Sequence, residues 1–334
     1  MARVAVLMPA RDAARTVRAA ASSILRQTFR DLSLVVVDDG STDATPDLLQ
    51  RLAERDGRVT IVRGPGEGIA RALSRGLALC DAPLVARMDA DDLAHPLRLA
   101  LQLEALAADP ALVAVGSQVK LFPRGILRPG MIRYVEWLNG LTSKALVERD
   151  LFVEAPLIHP AALLRREALE AVGGWREGPF PEDYDLWLRL CEAGGALANV
   201  PRVLLGWRES GARLTRTDGR YSLSNHRALK ASALARTWLA GMREVAIWGA
   251  GETGKAMADA LDAEGIRAAL FVEVDRKKIG RTVRGAPVVG VDQLARARGL
   301  PLLVAVGAPG ARDLIRAELA GFGWEELRDF RCVA

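Results

Sequence analysis

Four times in its first 108 residues this chain repeats one pattern: a short apolar run, a turn, and then a stretch with helical periodicity. The runs are 3–8, Leu32–Val37, Val59–Val62 and Ala82–Ala86, each too short for a buried helix. The intervening segments Asp12–Gln27, Thr45 onward and Ile69–Leu79 put their apolar residues on one face, as Val17, Ala20, Ala21, Ile24 and Leu25 do in the first. Such alternation predicts an α/β fold with a largely parallel sheet, because helices must cover both faces of strands that are apolar on both. Ligands of such sheets bind beyond the carboxyl ends of the strands.

Those ends carry the chemistry here. The fourth run delivers Arg87-Met88-Asp89-Ala90-Asp91-Asp92, three carboxylates in four residues. Hard divalent cations prefer oxygen ligands, and Mg²⁺ or Mn²⁺ commonly takes one or two carboxylates together with phosphate oxygens. An acidic loop capping a helix that starts near His95-Pro96-Leu97 is the other reading, and on the triplet alone both stand. The second run ends in Asp38-Asp39, where a carboxylate can accept hydrogen bonds from a base or ribose; Asp39 is favoured, with Asp38 supporting it. Asp43 and Thr45 read as structural, since Thr45-Pro46-Asp47 has the cap, proline and acid of a helix start. The third run leads into Gly64-Pro65-Gly66-Glu67-Gly68, read as a turn because no Lys-Ser/Thr of a phosphate loop follows.

Composition removes several function classes. The 334 residues are 50% hydrophobic, enough for two domains with cores of their own. Lys and Arg number 46 and Asp and Glu 41, interspersed, and aromatics are 5%, so stacking surfaces for nucleic acid are not predicted. Cys80, Cys191 and Cys332 form neither a CxxC pair nor a disulfide framework, which predicts a cytoplasmic protein. No apolar stretch approaches the roughly 20 residues of a membrane helix, so no transmembrane segment is predicted.

Farther along, helices are expected from Pro96 to Ala108 and over Met131–Gly140 and Thr142–Asp150, and strands over Leu112–Leu121 and Ala161–Leu164. His159-Pro160 carries either an acceptor-side or metal-side imidazole or a packed loop histidine. Glu182-Asp183 opens a helix, where an acid is also a favoured cap stabilised by the helix dipole. The stretch 216–242 is basic and reads as a helical connector. After it, Val245–Trp248, then Gly249-Ala250-Gly251-Glu252-Thr253-Gly254 and a helix, set GxGxxG between a strand and a helix. Glu273 and Asp275 follow about 20 residues on, where an adenosine ribose would be read, so Gly249, Gly251, Gly254, Glu273 and Asp275 are a second candidate nucleotide site, with NAD(P) as one possible occupant. The same glycines also serve helix-strand packing.

Five blocks, in order, carry a family resemblance. Val6-Leu7-Met8-Pro9, Ser23-Ile24-Leu25-Arg26-Gln27-Thr28, Val36-Val37-Asp38-Asp39-Gly40-Ser41-Thr42-Asp43, Met88-Asp89-Ala90-Asp91-Asp92 and Glu182-Asp183-Tyr184-Asp185-Leu186-Trp187-Leu188-Arg189-Leu190 resemble the motifs of family 2 glycosyltransferases with the GT-A fold. The resemblance covers about residues 1–215. It implies a GT-A domain over 1–215; the chain's own pattern adds the linker 216–242 and a smaller Rossmann-like domain over 243–334. It also implies an inverting, metal-dependent hexosyltransferase using a UDP-, GDP- or dTDP-linked sugar and Mn²⁺ or Mg²⁺. By the same resemblance Asp39 contacts the nucleotide base, Asp89 and Asp91 form the Asp-x-Asp element with Asp91 as the direct metal ligand, and Asp183 is the catalytic base. Pro9, Arg11, Asp38 and Asp89 are carried over as donor contacts, although Arg11-Asp12 departs from the asparagine common after that proline. Arg208 and Arg213 are candidates for the diphosphate, or simply surface residues.

The acceptor is expected to be a glycan, a lipid-linked glycan or a small molecule, in cell-surface glycan or polysaccharide synthesis, with peripheral placement at the inner membrane face if the acceptor is lipid-linked. An NAD(P)-dependent oxidoreductase and a non-catalytic nucleotide-sugar-binding protein are the rival functions.

Overall fold

A computed structural model describes residues 2–123, 129–210 and 214–334; Arg213 lies outside them. The chain divides into two compact units. The first comprises 1–148, 156–178 and 182–217, the second 149–155, 179–181 and 218–334.

In the first unit the strands are β1 (Val4–Ala10), β2 (Leu32–Asp39), β3 (Val59–Gly64), β4 (Leu84–Arg87), β5 (Leu93–Ala94), β6 (Leu112–Phe122), β7 (Leu163–Arg165) and β8 (Ala196–Arg208). They form one eight-stranded sheet in the order β3-β2-β1-β4-β7-β6-β8-β5. The β3, β2, β1 and β4 strands run parallel, as the alternation predicts. Beyond them β7 lies antiparallel to both β4 and β6, and β5 antiparallel to β8, so the sheet is mixed. The central strand β1 is buried along nearly its whole length. The helix Ile69–Leu77 crosses it so closely that Gly76 leaves no room for a Cβ between Leu7 and Val37.

Register fixes which residues share a rim. Ala10 of β1 stands beside Asp38 of β2, and Leu7 of β1 beside Arg87 of β4. The turns after β1, β2 and β4 therefore leave the sheet on one side. The first of them differs from expectation: the helix expected from Asp12 begins at Val17. Asp12 sits at φ 48° and its carboxylate accepts from the Thr42 N–H at 2.8 Å, which tethers it to the turn after β2 instead of letting it start a helix. His159 likewise lies in a short 3₁₀ turn, His159–Ala161, before the strand.

The second unit holds a six-stranded sheet. Its strands are β9 (Glu244–Trp248), β10 (Arg267–Val272), β11 (Thr282–Val283), β12 (Ala286–Val289), β13 (Leu302–Val304) and β14 (Phe330–Cys332), in the order β11-β12-β10-β9-β13-β14. All neighbours are parallel except the short β11. The unit is not contiguous in sequence. The helix Leu223–Arg236, from the stretch read as a connector, belongs to it, and so does Arg149–Ala155. Arg316 ion-pairs with both Asp150 and Glu326, and the buried Lys230 donates to the carbonyls of Val153 (2.6 Å) and Val333 (3.2 Å). Burial lowers the Lys230 pKa below its usual value. Both cations are thus satisfied inside the unit, with Leu151, Phe152 and Val153 buried around them.

Candidate active site

The acidic loop after β4 is built on two buried guanidiniums. Arg98 is fully buried and donates to the carbonyls of Arg87 (2.7 Å) and Ala162 (3.2 Å), tying the end of β4 to the start of β7. Burial pulls its pKa down to about 9, so at neutral pH it still carries its charge. Arg87, 1% exposed, ion-pairs with Asp89. Beyond them, ligand oxygens of Asp89, Asp91 and Asp92 lie within 4.8 Å of one another. Asp89 and Asp91 are half-buried, while Asp92 is buried and its Oδ1 accepts the Arg208 backbone N–H at 2.7 Å. Oxygen donors converging so closely suit a hard divalent cation, and the cluster fits Mn²⁺ or Mg²⁺.

Sequence alone left Arg208 between a phosphate contact and a surface residue. The structure puts it at the acidic loop: its Nε donates to the Asp91 carbonyl at 2.6 Å and its guanidinium stacks 4.4 Å from the Phe122 ring centre. Behind it the buried Glu209 ion-pairs with Arg216.

On β2, Asp39, expected to contact the nucleotide base, is bound to backbone N–H groups of the turn after β3. Its Oδ1 accepts from the N–H groups of Gly66 (3.1 Å) and Glu67 (3.0 Å), and its Oδ2 from Gly68 (2.8 Å). One carboxylate therefore folds the glycine-rich turn over the end of β2, and the Arg11 guanidinium lies against Gly66 in the same turn. Asp38 accepts from the Ser41 N–H at 3.2 Å. Asp39→Ala removes three charge-assisted bonds at once and is expected to cost about 1–3 kcal/mol in a denaturant titration, since water reaches part of the released turn. A loss below about 0.5 kcal/mol, within the range of ordinary surface substitutions, would show the turn to hold without it.

The first turn of the helix Glu182–Glu192 supplies three acids, and their surroundings separate them. Asp185, 1% exposed, is bound by Arg189 at 2.6 Å and Arg176 at 2.5 Å. Glu182, 2% exposed, lies 3.7 Å from His159 Nδ1. Asp183 is half-exposed, with its Oδ1 accepting the Tyr184 N–H at 2.8 Å. His159 itself is buried against Trp175 and Trp187 and accepts the Trp175 indole N–H on Nε2 at 2.8 Å. Desolvation, helped by the Arg87 charge, holds its pKa well below the usual value, so the ring is neutral. The packed alternative for His159 is what the structure shows.

Contacts join these parts. The Arg87 N–H donates to the Ala162 carbonyl at 2.8 Å, three residues beyond His159, and His159 faces Glu182 beside Asp183. The acids after β4 and the start of the Glu182 helix are therefore linked through one short buried segment. Sequence reasoning missed Arg87 and Arg98. Charged residues adjoining an apolar strand and heading a mostly apolar helix were the available signal.

Residues 5–173 match the model of the family described as Glycosyl transferase family 2. The chain belongs to this family. A Haemophilus influenzae protein described as an uncharacterized glycosyltransferase is 29% identical over 215 residues, 62% of this chain and 66% of the relative. The putative glycosyltransferase EpsE of Bacillus subtilis is 27% identical over 228 residues, 67% of this chain and 79% of its own. Among solved structures, the mannosyltransferase PcManGT from Pyrobaculum calidifontis, in complex with GDP-Man and Mn²⁺, aligns with a TM-score of 0.51 at 24% identity, over 79% of this chain and 69% of that one. S. aureus TarS 1–349 in complex with UDP-GlcNAc aligns at 0.53 and 13% identity, over 78% and 71%. At such identities the likeness shows the fold, and the mixed sheet of the first unit is that of the GT-A class.

Apart from Arg149–Ala155, the second unit lies outside the family match. There Gly249 takes φ 112° and Gly254 packs so tightly on the Gly249 carbonyl that neither could carry a side chain. Glu273, expected to read a ribose, accepts instead from Ala250 N–H (3.0 Å), Val274 N–H (3.0 Å), Asp275 N–H (3.2 Å) and Lys278 Nζ (3.0 Å). Burial raises its pKa, but these donors outweigh burial and leave it below the ordinary value. Asp275 caps its own turn through the Lys277 N–H. These contacts explain Gly249, Gly254 and both acids by packing and turn geometry, whereas a Cβ at Gly251 would meet only Lys278 Nζ at 3.9 Å; NAD(P) finds no support. Among the described residues no helix is long and apolar enough to cross a membrane.

Proposed function

We propose that this chain transfers a sugar, with inversion, from a nucleoside-diphosphate donor to an acceptor hydroxyl, in the assembly of a cell-surface glycan or polysaccharide. The observation that carries the reading is the convergence of Asp89, Asp91 and Asp92 at the strand-end rim of a family 2 sheet. PcManGT holds GDP-Man with Mn²⁺, and TarS holds UDP-GlcNAc. A divalent cation held by Asp91 and Asp89 would neutralise charge on the departing diphosphate, which makes a separate acid for the leaving group unnecessary.

The chain's own groups then have defined tasks. Asp183 accepts the proton of the acceptor hydroxyl as that oxygen bonds to the anomeric carbon. The bond from that carbon to the phosphate oxygen breaks, and its electron pair leaves with the nucleoside diphosphate. Asp183 suits this because, of the three acids opening its helix, it is half-exposed while Glu182 and Asp185 are buried. Arg208 orders the loop of Asp91 and Asp92 from behind. Pro9, Arg11 and the turn held by Asp39 line the donor side of the same rim.

UDP-, GDP- and dTDP-sugars tested with and without Mn²⁺ by thermal shift and product analysis decide the matter, because a ligand at 100 times its Kd stabilises by about 2.7 kcal/mol. The expected result is one donor class that shifts the melting transition only with Mn²⁺ and is consumed. Absence of both binding and donor turnover across the panel would overturn the proposal.

A further inference from the structure

The mechanism above gives no task to His159, a buried imidazole that reaches both ends of the segment preceding Asp183. We infer that His159 is a positioning residue: it holds Trp175 by a hydrogen bond on one side and lies against Glu182 on the other, and so sets where the helix bearing Asp183 begins. This rests on the reading of Asp183 as the proton acceptor.

Three observations carry it. The ring is directional: because Nε2 accepts the Trp175 indole N–H at 2.8 Å, the proton of the neutral ring sits on Nδ1, which points toward Glu182 Oε1 at 3.7 Å. The ring is also immobilised, with the Trp175 and Trp187 ring centres 5.8 and 6.0 Å away. Finally, the segment between its two partners is tied through its exposed side chains, Arg176 to Asp185 and Glu177 to Arg71, while His159 meets its two buried ends. The segment follows Gly173 and Gly174, both at positive φ, and contains Gly178. Arg189 secures the first end by donating to the carbonyls of Val172 (2.5 Å) and Gly174 (2.8 Å), whereas His159 meets residues on both sides of 176–181. Glu182 is the neighbour of Asp183, so a shift of its side chain moves the base directly. A misplacement of about 1 Å at a reacting group can cost about 100-fold in rate.

The test compares His159→Asn, His159→Gln and Trp175→Phe in the full chain, measuring kcat, acceptor KM, donor Kd and folded fraction. Asn keeps an N–H at the place of Nδ1 and leaves the indole unmatched, while Gln keeps an acceptor at the place of Nε2 and releases Glu182. The expected result is kcat lowered about 10- to 100-fold in His159→Gln, less in His159→Asn, with donor Kd unchanged in both. Trp175→Phe, which keeps the imidazole, should lower kcat in the same way and serves if both histidine variants unfold. Wild-type kcat per folded molecule in these variants, or a parallel loss of donor affinity, would overturn the inference. Asp183→Asn run alongside separates the two ideas: if it retains transfer, the base assignment fails, and if it alone loses transfer, only the role of His159 does.

Discussion

Asp183→Asn is expected to lower kcat about 10²- to 10⁴-fold while donor Kd, measured by calorimetry with Mn²⁺, stays at the wild-type value. The amide is isosteric, and its oxygen can still accept the Tyr184 N–H, so the helix start and its packing survive. What is lost is the ability to take a proton from the attacking hydroxyl. The neighbouring acids provide the contrast. Asp185→Asn removes the buried carboxylate charge that pairs with Arg176 and Arg189, and leaves the buried Arg189 with backbone carbonyls, a neutral amide and the Glu192 charge. Removing one partner of such a pair costs about 3–5 kcal/mol, so this variant should lose stability first and activity only with it. Transfer at the wild-type rate by Asp183→Asn would remove its assigned role.

Much of this site could be read before any coordinates, for a topological reason. In a parallel sheet every strand ends on the same rim, so acids that follow apolar runs separated by helices are neighbours whatever the details of packing; Asp38-Asp39 and Asp89-Ala90-Asp91-Asp92 illustrate it. What sequence could not give were contacts made by chain folding back on itself. The Asp39 carboxylate lies next to backbone N–H groups of Gly66, Glu67 and Gly68, almost thirty residues away, and nothing in the composition of that turn announces its anchor. His159 and Trp175 are separated by a strand and a helix, and the direction of their hydrogen bond is a matter of side-chain placement. Arg98 reads as an ordinary first-turn residue of a helix, yet it is wholly buried because two carbonyls at the ends of β4 and β7 need a donor. The capture of Arg149–Ala155 by the second unit was equally hidden: Leu151-Phe152-Val153 is apolar in a way that any core could use, and only Asp150, met by Arg316, specifies which.

The same reasoning orders the acids after β4 by what each would lose. Asp92 is 1% exposed, its Oδ1 holds the Arg208 N–H and its charge supports the buried Arg98, so Asp92→Asn should lower stability first. Asp89 already carries an ion pair with Arg87, which compensates part of its charge. Asp91 is half-buried and belongs to the acidic cluster, and Arg208 Nε donates to its backbone carbonyl, which fixes the loop. Asp91→Asn is therefore expected to weaken Mn²⁺ binding, followed by manganese paramagnetic resonance in the presence of nucleoside diphosphate, by at least about 100-fold, since even partners outside the ligand sphere cost 10- to 100-fold at metal sites. Nucleotide affinity measured without Mn²⁺ should not fall, because without the cation the charge removed can only repel the diphosphate. If Asp91→Asn binds Mn²⁺ as tightly as the wild type while Asp92→Asn does not, the buried acid is the ligand, and the loop's order from strand end to helix reads the other way round.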